Sequence, residues 1–185
     1  MVSRLVNLLQ AGWRRHRVTK TEIISDYSQD QLTVNYFVEG SVTRTYPDGN
    51  AIVFRPGDIS IEFPGVLHGY VVKPGIHEEC YLSLASDFIK PLLKLGVISK
   101  NLPLIHARHI QNPKPRIIRL ARDLEACREE DIPTFAGRIY MEICNLVSEA
   151  NRNPEDAKNL RIKKALDLLS DRSLFHLRIA DVAQM

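Results

Sequence analysis

Short segments rich in β-branched and aromatic residues recur between about residue 21 and residue 85, and turn sequences separate them. Such segments are typical of β-strands. The strongest turn is Pro47-Asp48-Gly49-Asn50, because glycine and asparagine tolerate the positive φ angles of a tight hairpin. Strands at this spacing, with no helical pattern between them, predict an antiparallel sandwich or small barrel. The predicted strands are 22–25, 32–38, 41–46, 51–54, 59–63, 69–72 and 80–84.

Helical spacing of apolar residues appears before and directly after this region. Residues 2–13 show it, which predicts either a short amphipathic arm packed on the body or a frayed terminus. After the last predicted strand, a short helix is expected to begin at an N-cap on Ser86 and to end at Gly96. Residues 97–112 are expected to form an irregular connection, with a candidate last strand at 103–110.

Two longer amphipathic helices are predicted over residues 113–150, the first opening on a Pro-Lys-Pro sequence and the second following a short joint. A short joint between two such helices favours an antiparallel hairpin. Stripes of this kind are mostly intramolecular core. Because the apolar faces are broad, we also expect a homodimer through helices 113–150.

The sequence after residue 150 is polar and then becomes helical again. Residues 151–159 contain Pro154 and predict an interdomain linker. A helical pattern follows from residue 161, and a last one runs into Met185 without a capping signal. We expect a chain that is cut inside a domain.

Composition and charge narrow the class of protein. The chain is 44% hydrophobic and 25% charged, ordinary values for a soluble globular protein. No apolar run approaches the roughly 18 residues that span a bilayer, and the N-terminus lacks the pattern of a secretory signal, so we expect a cytoplasmic protein. Widely spaced Cys80, Cys127 and Cys144 indicate reduced, buried thiols. The net charge of +3 is concentrated at the two ends of the chain, which makes the middle a poor nucleic-acid surface.

One set of turn residues resembles the cupin pattern. In that pattern a Gly-Asp turn leads into a strand and is followed by Pro-Gly and then by a histidine that points into the barrel. The resemblance implies a cupin-like antiparallel β-barrel (a jelly roll) over residues 21–110. The matching residues are Gly40, Pro56-Gly57-Asp58, Pro64-Gly65 and His68.

The chain departs from metal-bearing cupins, which place two histidines and a glutamate in the preceding strand pair. Tyr46-Pro47-Asp48 stands where His-x-His would fall, Asn50 stands near the expected glutamate, and no histidine lies between Val18 and Leu67. Protein metal sites usually have three or four ligands. We therefore expect no metal and no cofactor.

The segment 161–185 resembles the start of the AraC-type DNA-binding domain, whose first helix-turn-helix opens with Leu-x-Ile-Ala-x-Val-Ala. This chain has Leu177-Arg178-Ile179-Ala180-Asp181-Val182-Ala183. The order of barrel, helical pair, linker and this helix is similar to AraC-family regulators over the whole chain. The resulting domain assignment is α+β: 1–20 basic N-terminal arm, 21–110 barrel, 111–152 dimerisation helices, 153–160 linker and 161–185 truncated start of the DNA-binding domain.

The AraC resemblance implies a function. In such regulators the barrel binds a small effector, the helical pair dimerises and the C-terminal domain reads promoter DNA with two recognition helices. Both recognition helices are missing here, so this fragment should bind DNA weakly or not at all. Four residues, Arg161, Lys163, Lys164 and Arg178, are candidate phosphate contacts, although solvated helix charges are the simpler explanation of them.

Barrel-facing polar and aromatic residues are the candidates for the effector site. A tyrosine offers a stacking face and a hydroxyl together, which suits a sugar or similar polyol; the alternative is that each is core or surface filler. We do not expect an enzyme, but a cupin enzyme such as a sugar isomerase, with His68 and Glu62 as an acid–base pair, stays open, as does a plain dimerisation module. The candidate ligand-binding residues are Tyr36, Arg44, Tyr46, Glu62, His68 and Tyr70.

Overall fold

Nine strands and three helices make up the described part of the chain, which is residues 9–85, 89–100, 103–106, 110 and 112–150 of a computed structural model. The predicted linker, the C-terminal helices and the four candidate DNA-binding residues lie outside these ranges. The strands are β1 (Leu9–Val18), β2 (Glu22–Tyr27), β3 (Gln31–Glu39), β4 (Val42–Thr45), β5 (Ala51–Phe54), β6 (Asp58–Glu62), β7 (His68–Val72), β8 (Gly75–Ala85) and β9 (Leu104–His106). The helices are α1 (Ile89–Lys94), α2 (Pro113–Glu125) and α3 (Ile132–Ala150), with a 3₁₀ turn at Glu129–Asp131.

The strands wind between two antiparallel sheets. One sheet has the order β1-β8-β3-β6-β9 and the other has the order β2-β7-β4-β5. From β3 onward the chain crosses repeatedly between them: β3 lies in the larger sheet, the β4–β5 hairpin in the smaller one, and β6, β7 and β8 alternate. This winding is that of a jelly roll, and it confirms the predicted α+β fold with a cupin-like antiparallel barrel.

The larger sheet is apolar on the face that meets the helices. Alternate residues of β3 and β8 point there, including Leu32, Val34, Leu82 and Leu84, all of which are buried. They form one hydrophobic core with α1, α2 and α3. Burying this face beneath the helices leaves the other face of the same strands to line the space between the two sheets.

The helices follow the sequence closely. At the end of α1 the Gly96 amide donates to the Leu93 carbonyl at 3.0 Å and the Val97 amide donates to the Leu92 carbonyl at 2.9 Å. Gly96 has a φ of +68°. Together these form a Schellman cap, so the predicted end of this helix is confirmed, whereas Ser86 lies outside the described residues.

Ion pairs at both ends show that α2 and α3 run antiparallel, as predicted. Arg116, near the start of α2, donates to Glu149 at the end of α3 at 2.9 Å. Asp123, near the end of α2, pairs with Arg138 in the first half of α3. Within the described residues no large exposed hydrophobic side chain belongs to α2 or α3. Their apolar stripes therefore pack inside this chain, and the homodimer stays a prediction.

The N-terminal segment corrects one prediction. Residues 2–13 have helical spacing, but Leu9–Val18 is a strand that pairs with β8 over its whole length. The physical reason is that the same residues also alternate: Leu9, Ala11 and Trp13 face the helices, while the residues between them face the opposite sheet. Pairing with the edge of β8 selects the period of two over the helical period.

Cys80 and Cys144 are buried thiols and Cys127 is partly buried, with no disulfide among them. None of the helices in the described ranges has the length and apolar character that would carry it across a bilayer.

A polar cavity between the two sheets

The inner faces of the two sheets enclose a cavity of about 560 Å³. On the larger sheet, cross-strand neighbours form rows across its floor. One row runs Gln10–Ser83–Thr33–Glu62, and the next runs Gly12–Tyr81–Asn35–Ser60. Apart from Gly12 and the Tyr81 ring, every residue in these rows has a polar side chain. The barrel therefore has a polar floor, whereas most small barrels are packed with apolar side chains.

A buried ion pair lies beside this floor. Arg44, from β4, donates from Nη2 to Glu62 Oε1 at 2.6 Å and to Ser60 Oγ at 3.1 Å. Asn35 Nδ2 donates to the same Glu62 oxygen at 2.6 Å. The exposed fractions of Arg44 and Glu62 are 2% and 6%. Burial is the largest single effect and disfavours the charge on Arg44, but Glu62, Tyr70 and Tyr46 together outweigh it, so the pKa of Arg44 lies above its ordinary value.

Aromatic rings hold the Arg44 guanidinium in place. Its Cζ lies 4.7 Å from the ring centre of Phe54 and 5.5 Å from that of Tyr70. Phe54 in turn stacks on Phe37 with the ring centres 5.2 Å apart. The guanidinium is therefore fixed by hydrogen bonds on one side and by π faces on the others.

His68 is held as one neutral tautomer. Its Nδ1 lies 2.8 Å from the Val66 carbonyl oxygen and its Nε2 lies 2.9 Å from the Tyr70 hydroxyl. A carbonyl oxygen can only accept, so Nδ1 carries the proton and Nε2 accepts from Tyr70. Burial is the main cause that lowers the pKa of His68, which favours the same neutral form.

The structure brings five of the six sequence-predicted ligand residues close together, but only two of them line the main cavity. Glu62 and Tyr70 do so, and Arg44 lies behind Glu62. His68 and Tyr46, whose ring centres are 6.5 Å apart, border a second depression of about 240 Å³.

Tyr36 lies apart from the other candidates. It stands on the opposite face of the larger sheet and packs against the hydrophobic core beneath the helices. Its neighbour Asn35 faces the barrel, and since successive residues of a strand point to opposite faces, Tyr36 is directed away from the cavity. Its assignment to the ligand site is therefore not supported by its position.

Sequence reasoning missed several residues of the cavity wall. Glu79 and Arg14 form a cross-strand ion pair there, and burial raises the pKa of Glu79. The hydroxyls of Thr33 and Ser83 are 2.9 Å apart. The signal was the alternation of polar with apolar residues along β3 and β8, although alternation alone does not say whether the polar face meets solvent or a cavity.

A metal has few prospective ligands at this site. In the ranges that the structure describes, no three side chains of His, Cys, Asp or Glu are grouped so that they could hold an ion. Of the candidate ligands, Glu62 is engaged by Arg44 and Asn35, and His68 has both ring nitrogens hydrogen-bonded.

No family model and no curated protein matches the chain. Solved structures do. ToxT from Vibrio cholerae O395, bound to (E)-4-(8-methylnaphthalen-1-yl)but-3-enoic acid, is 12% identical over 96% of this chain and 70% of its own, with a TM-score of 0.45. The EutQ protein of Clostridium difficile is 15% identical over 43% of this chain, with a TM-score of 0.33, and the match spans 58% of EutQ. A cupin superfamily protein from Desulfitobacterium hafniense DCB-2 is 16% identical over 43% of this chain and 70% of its own, with a TM-score of 0.35.

Proposed function

We propose that this chain is the effector-sensing and dimerising region of a cytoplasmic, sequence-specific DNA-binding transcription regulator, and that its barrel binds a small uncharged polar molecule. The observation that carries the proposal is the polar lining of the cavity between the sheets. The lining groups bond to one another, as Thr33 does with Ser83 and Asn35 with Glu62. A ligand hydroxyl or amide can join such a network, because hydroxyl and amide groups both donate and accept hydrogen bonds.

The charges in the lining favour an uncharged ligand. Four of the five carboxylates that line the cavity have cationic partners, and the fifth, Glu22, is exposed to solvent. The four pairs are Glu62 with Arg44, Glu79 with Arg14, Glu78 with Lys114 and Glu39 with Arg15. The remaining floor offers hydroxyl and amide groups. These groups hydrogen-bond to hydroxyls, carbonyls and amides of a ligand. Within that class, the resemblance to AraC-type regulators favours a sugar.

The same contacts favour binding over catalysis. An acid–base pair of Glu62 and His68 would need a free carboxylate oxygen and a free ring nitrogen directed at the substrate. Glu62 Oε1 accepts from both Arg44 and Asn35, and both His68 nitrogens are hydrogen-bonded within the protein. A cupin enzyme such as a sugar isomerase is the alternative, and turnover of a bound sugar would favour it.

The packing gives a route from the cavity to the helices. Glu79 faces the cavity, and its neighbour Glu78 faces the helices, where it pairs with Lys114 of α2. Trp13 of β1 donates to the same Glu78 carboxylate at 2.7 Å. A ligand that shifts β1 against β8 would therefore displace the Glu78–Lys114 ion pair that holds α2. In this proposal the resulting movement of α2 and α3 reaches a partner subunit and the DNA-binding segment.

Thermal stabilisation tests the ligand half of the proposal. A panel of neutral sugars, polyols and amides is screened by the shift in melting temperature, because a ligand at about 100 times its Kd adds roughly 2.7 kcal/mol to the free energy of unfolding. Thr33→Val removes one hydroxyl from the cavity wall and is expected to weaken a hit roughly two- to tenfold. Thr43→Val, the same substitution on the outer face of β4, is the control and should leave binding unchanged. If no compound in a broad panel stabilises the protein, the sensing role is wrong.

Promoter occupancy tests the regulatory half. Chromatin immunoprecipitation of the natural gene product, with and without the stabilising compound, should find specific sites whose occupancy depends on that compound. In this proposal Arg161, Lys163, Lys164 and Arg178 contribute phosphate contacts, so neutralising them should lower occupancy at all sites alike. Enrichment of no site, or occupancy indifferent to the compound, would contradict the regulatory role.

A further inference from the structure

The Tyr81 ring lies flat over the backbone of Gly12. These residues are directly paired across β8 and β1 on the cavity side of the larger sheet. A Cβ built on Gly12 would come within 2.4 Å of both Cζ and the hydroxyl oxygen of Tyr81 and within 2.7 Å of Cε1. No real Cβ tolerates such contacts, so only glycine at position 12 allows the ring to lean onto β1.

This position presents the ring to the enclosed space. One face of Tyr81 is covered by β1, and the same side chain lines the cavity. If the ring stood upright between the sheets, it would fill the space instead of bordering it. Gly12 therefore lets Tyr81 add an aromatic surface to the polar rows of the larger sheet.

The facing sheet contributes aliphatic side chains at the same cavity. Val72 and Val42 are cross-strand neighbours on its inner face, and Ile24 pairs with Tyr70 in the adjoining row. All three aliphatic residues line the cavity. The cavity thus has an aromatic surface on one sheet, aliphatic surface on the other, and hydroxyl and amide groups such as Thr33 and Ser83 beside them.

We propose that Tyr81 is the stacking platform of this cavity, that Gly12 is its positioning residue, and that the ligand carries a flat unsaturated ring with polar substituents. This inference rests on the proposed function and narrows its ligand. A flat ring buries both faces between Tyr81 and the aliphatic wall while its polar edge meets the hydroxyls. Offset stacking on Tyr81 adds attraction beyond area burial, which a saturated ring does not gain.

A matched pair of probes tests the proposal: benzamide and cyclohexanecarboxamide, which share the amide and differ in the flatness of the ring. Their Kd values are measured by NMR titration of the full chain. Benzamide is expected to bind roughly two- to tenfold more tightly, the range that a stacked aromatic pair supplies. Tyr81→Phe should keep this preference and Tyr81→Leu should abolish it. Tyr36→Leu, which removes a tyrosine from the other face of the larger sheet, is the control and should keep it.

Gly12→Ala tests the positioning role. It should weaken both probes because Tyr81 is driven off β1 and into the cavity, and adding Tyr81→Leu to it should restore the binding of the Tyr81→Leu variant. If Gly12→Ala does not fold, the Tyr81 variants decide alone. Equal binding of the two probes, or a preference that survives Tyr81→Leu, overturns the inference. Binding of neither probe also overturns it. If a sugar nevertheless stabilises the protein, the proposed function stands and only the stacking inference fails. If no compound of the thermal-stabilisation panel stabilises the protein, the inference and the proposed function both fail.

Discussion

Arg44 and Glu62 form an ion pair of 2.6 Å inside the barrel, with almost no solvent access to either side chain. The pair joins the two sheets, because Arg44 belongs to β4 in the smaller sheet and Glu62 ends β6 in the larger one. Charges buried in this way are costly when they lose a partner, although a well-packed apolar replacement of both is often tolerated.

Arg44→Met should therefore destabilise the protein by about 3–5 kcal/mol, since it leaves the Glu62 carboxylate buried without its cation. Urea denaturation followed by circular dichroism measures the change. The matched control is Arg138→Met, which removes an arginine from a half-exposed pair with Asp123 and should cost at most about 1 kcal/mol. A double variant, Arg44→Met with Glu62→Met, should recover part of the loss. Equal effects at positions 44 and 138 would contradict the prediction.

The strands and turns of the barrel could be predicted from the sequence because turn chemistry and β-rich segments set them locally, whereas the jelly-roll winding followed only from the resemblance to the cupin pattern. The hairpin at Gly49 and the end of α1 at Gly96 are examples in which one residue with a positive φ fixes a chain reversal. The first strand could not be predicted, because Leu9–Val18 satisfies both a helical and an alternating pattern until β8 is available as a partner.

The candidate site was only partly predictable, because alternation defines faces without saying which face is enclosed. Tyr36 was expected in the barrel as an aromatic residue of β3, whereas its polar neighbour Asn35 is the one that lies there. In an isolated sheet the polar face would meet solvent. Here α2 and α3 cover the apolar face of β3, so its polar face lies inside the barrel. That outcome cannot be read from β3 alone, because both helices lie more than 50 positions further along the chain.

His68 should stay neutral and protonated on Nδ1 below the ordinary histidine pKa of about 6.5. Burial lowers its pKa in the folded state, so as the pH falls through about 6.5 the unfolded chain takes up a proton that the folded chain does not, and stability falls. Long-range ¹H–¹⁵N correlation spectra report both tautomer and charge. In His68→Gln this contribution to the pH dependence should disappear. A resonance that shows a proton on Nε2, or a charged ring at pH 6.5, would contradict the assignment.

Gly69→Ala should destabilise the junction between β2 and β7 by about 1–3 kcal/mol, the usual cost of forcing extra atoms into packed structure. A Cβ there would lie 2.8 Å from both the Ile24 carbonyl oxygen and Thr45 Oγ1. Adding Thr45→Ala removes only the side-chain contact, so the double variant should recover part of the loss and no more. Chemical denaturation measures it, and a change below about 0.5 kcal/mol for Gly69→Ala, the size of an ordinary surface substitution, would be the contrary result.

Glu78 and Glu79 are neighbours in the chain with opposite electrostatic settings. Glu78 faces the helices, where a hydrogen bond from Lys114 is the main cause that lowers its pKa and Trp13 donates as well. Glu79 faces the cavity, where burial raises its pKa in spite of the nearby Arg14. A carboxyl with a lowered pKa stabilises the fold when it is ionised, and one with a raised pKa costs stability when it is ionised.

The two glutamine substitutions should accordingly have opposite signs at pH 7. Glu78→Gln removes a favourable ionised group and should lower the free energy of unfolding, and this deficit should shrink as the pH falls below the ordinary glutamate pKa of about 4.3. Glu79→Gln removes an unfavourable ionised group and should raise the free energy of unfolding. This gain should disappear as the pH falls towards about 4.3, because Glu79 then becomes protonated in the folded protein. Urea denaturation of both variants and of the unsubstituted protein measures the differences, and each variant serves as the other's control. The range runs from about pH 2.5 to about pH 7, because the Glu79 effect is lost above the ordinary glutamate pKa and the Glu78 effect below it. Changes of the same sign at pH 7 would show that the two faces of β8 do not differ as described. If Glu79→Gln stabilises the protein and also weakens ligand binding, then the ionised Glu79 side chain lowers stability because ligand binding requires it.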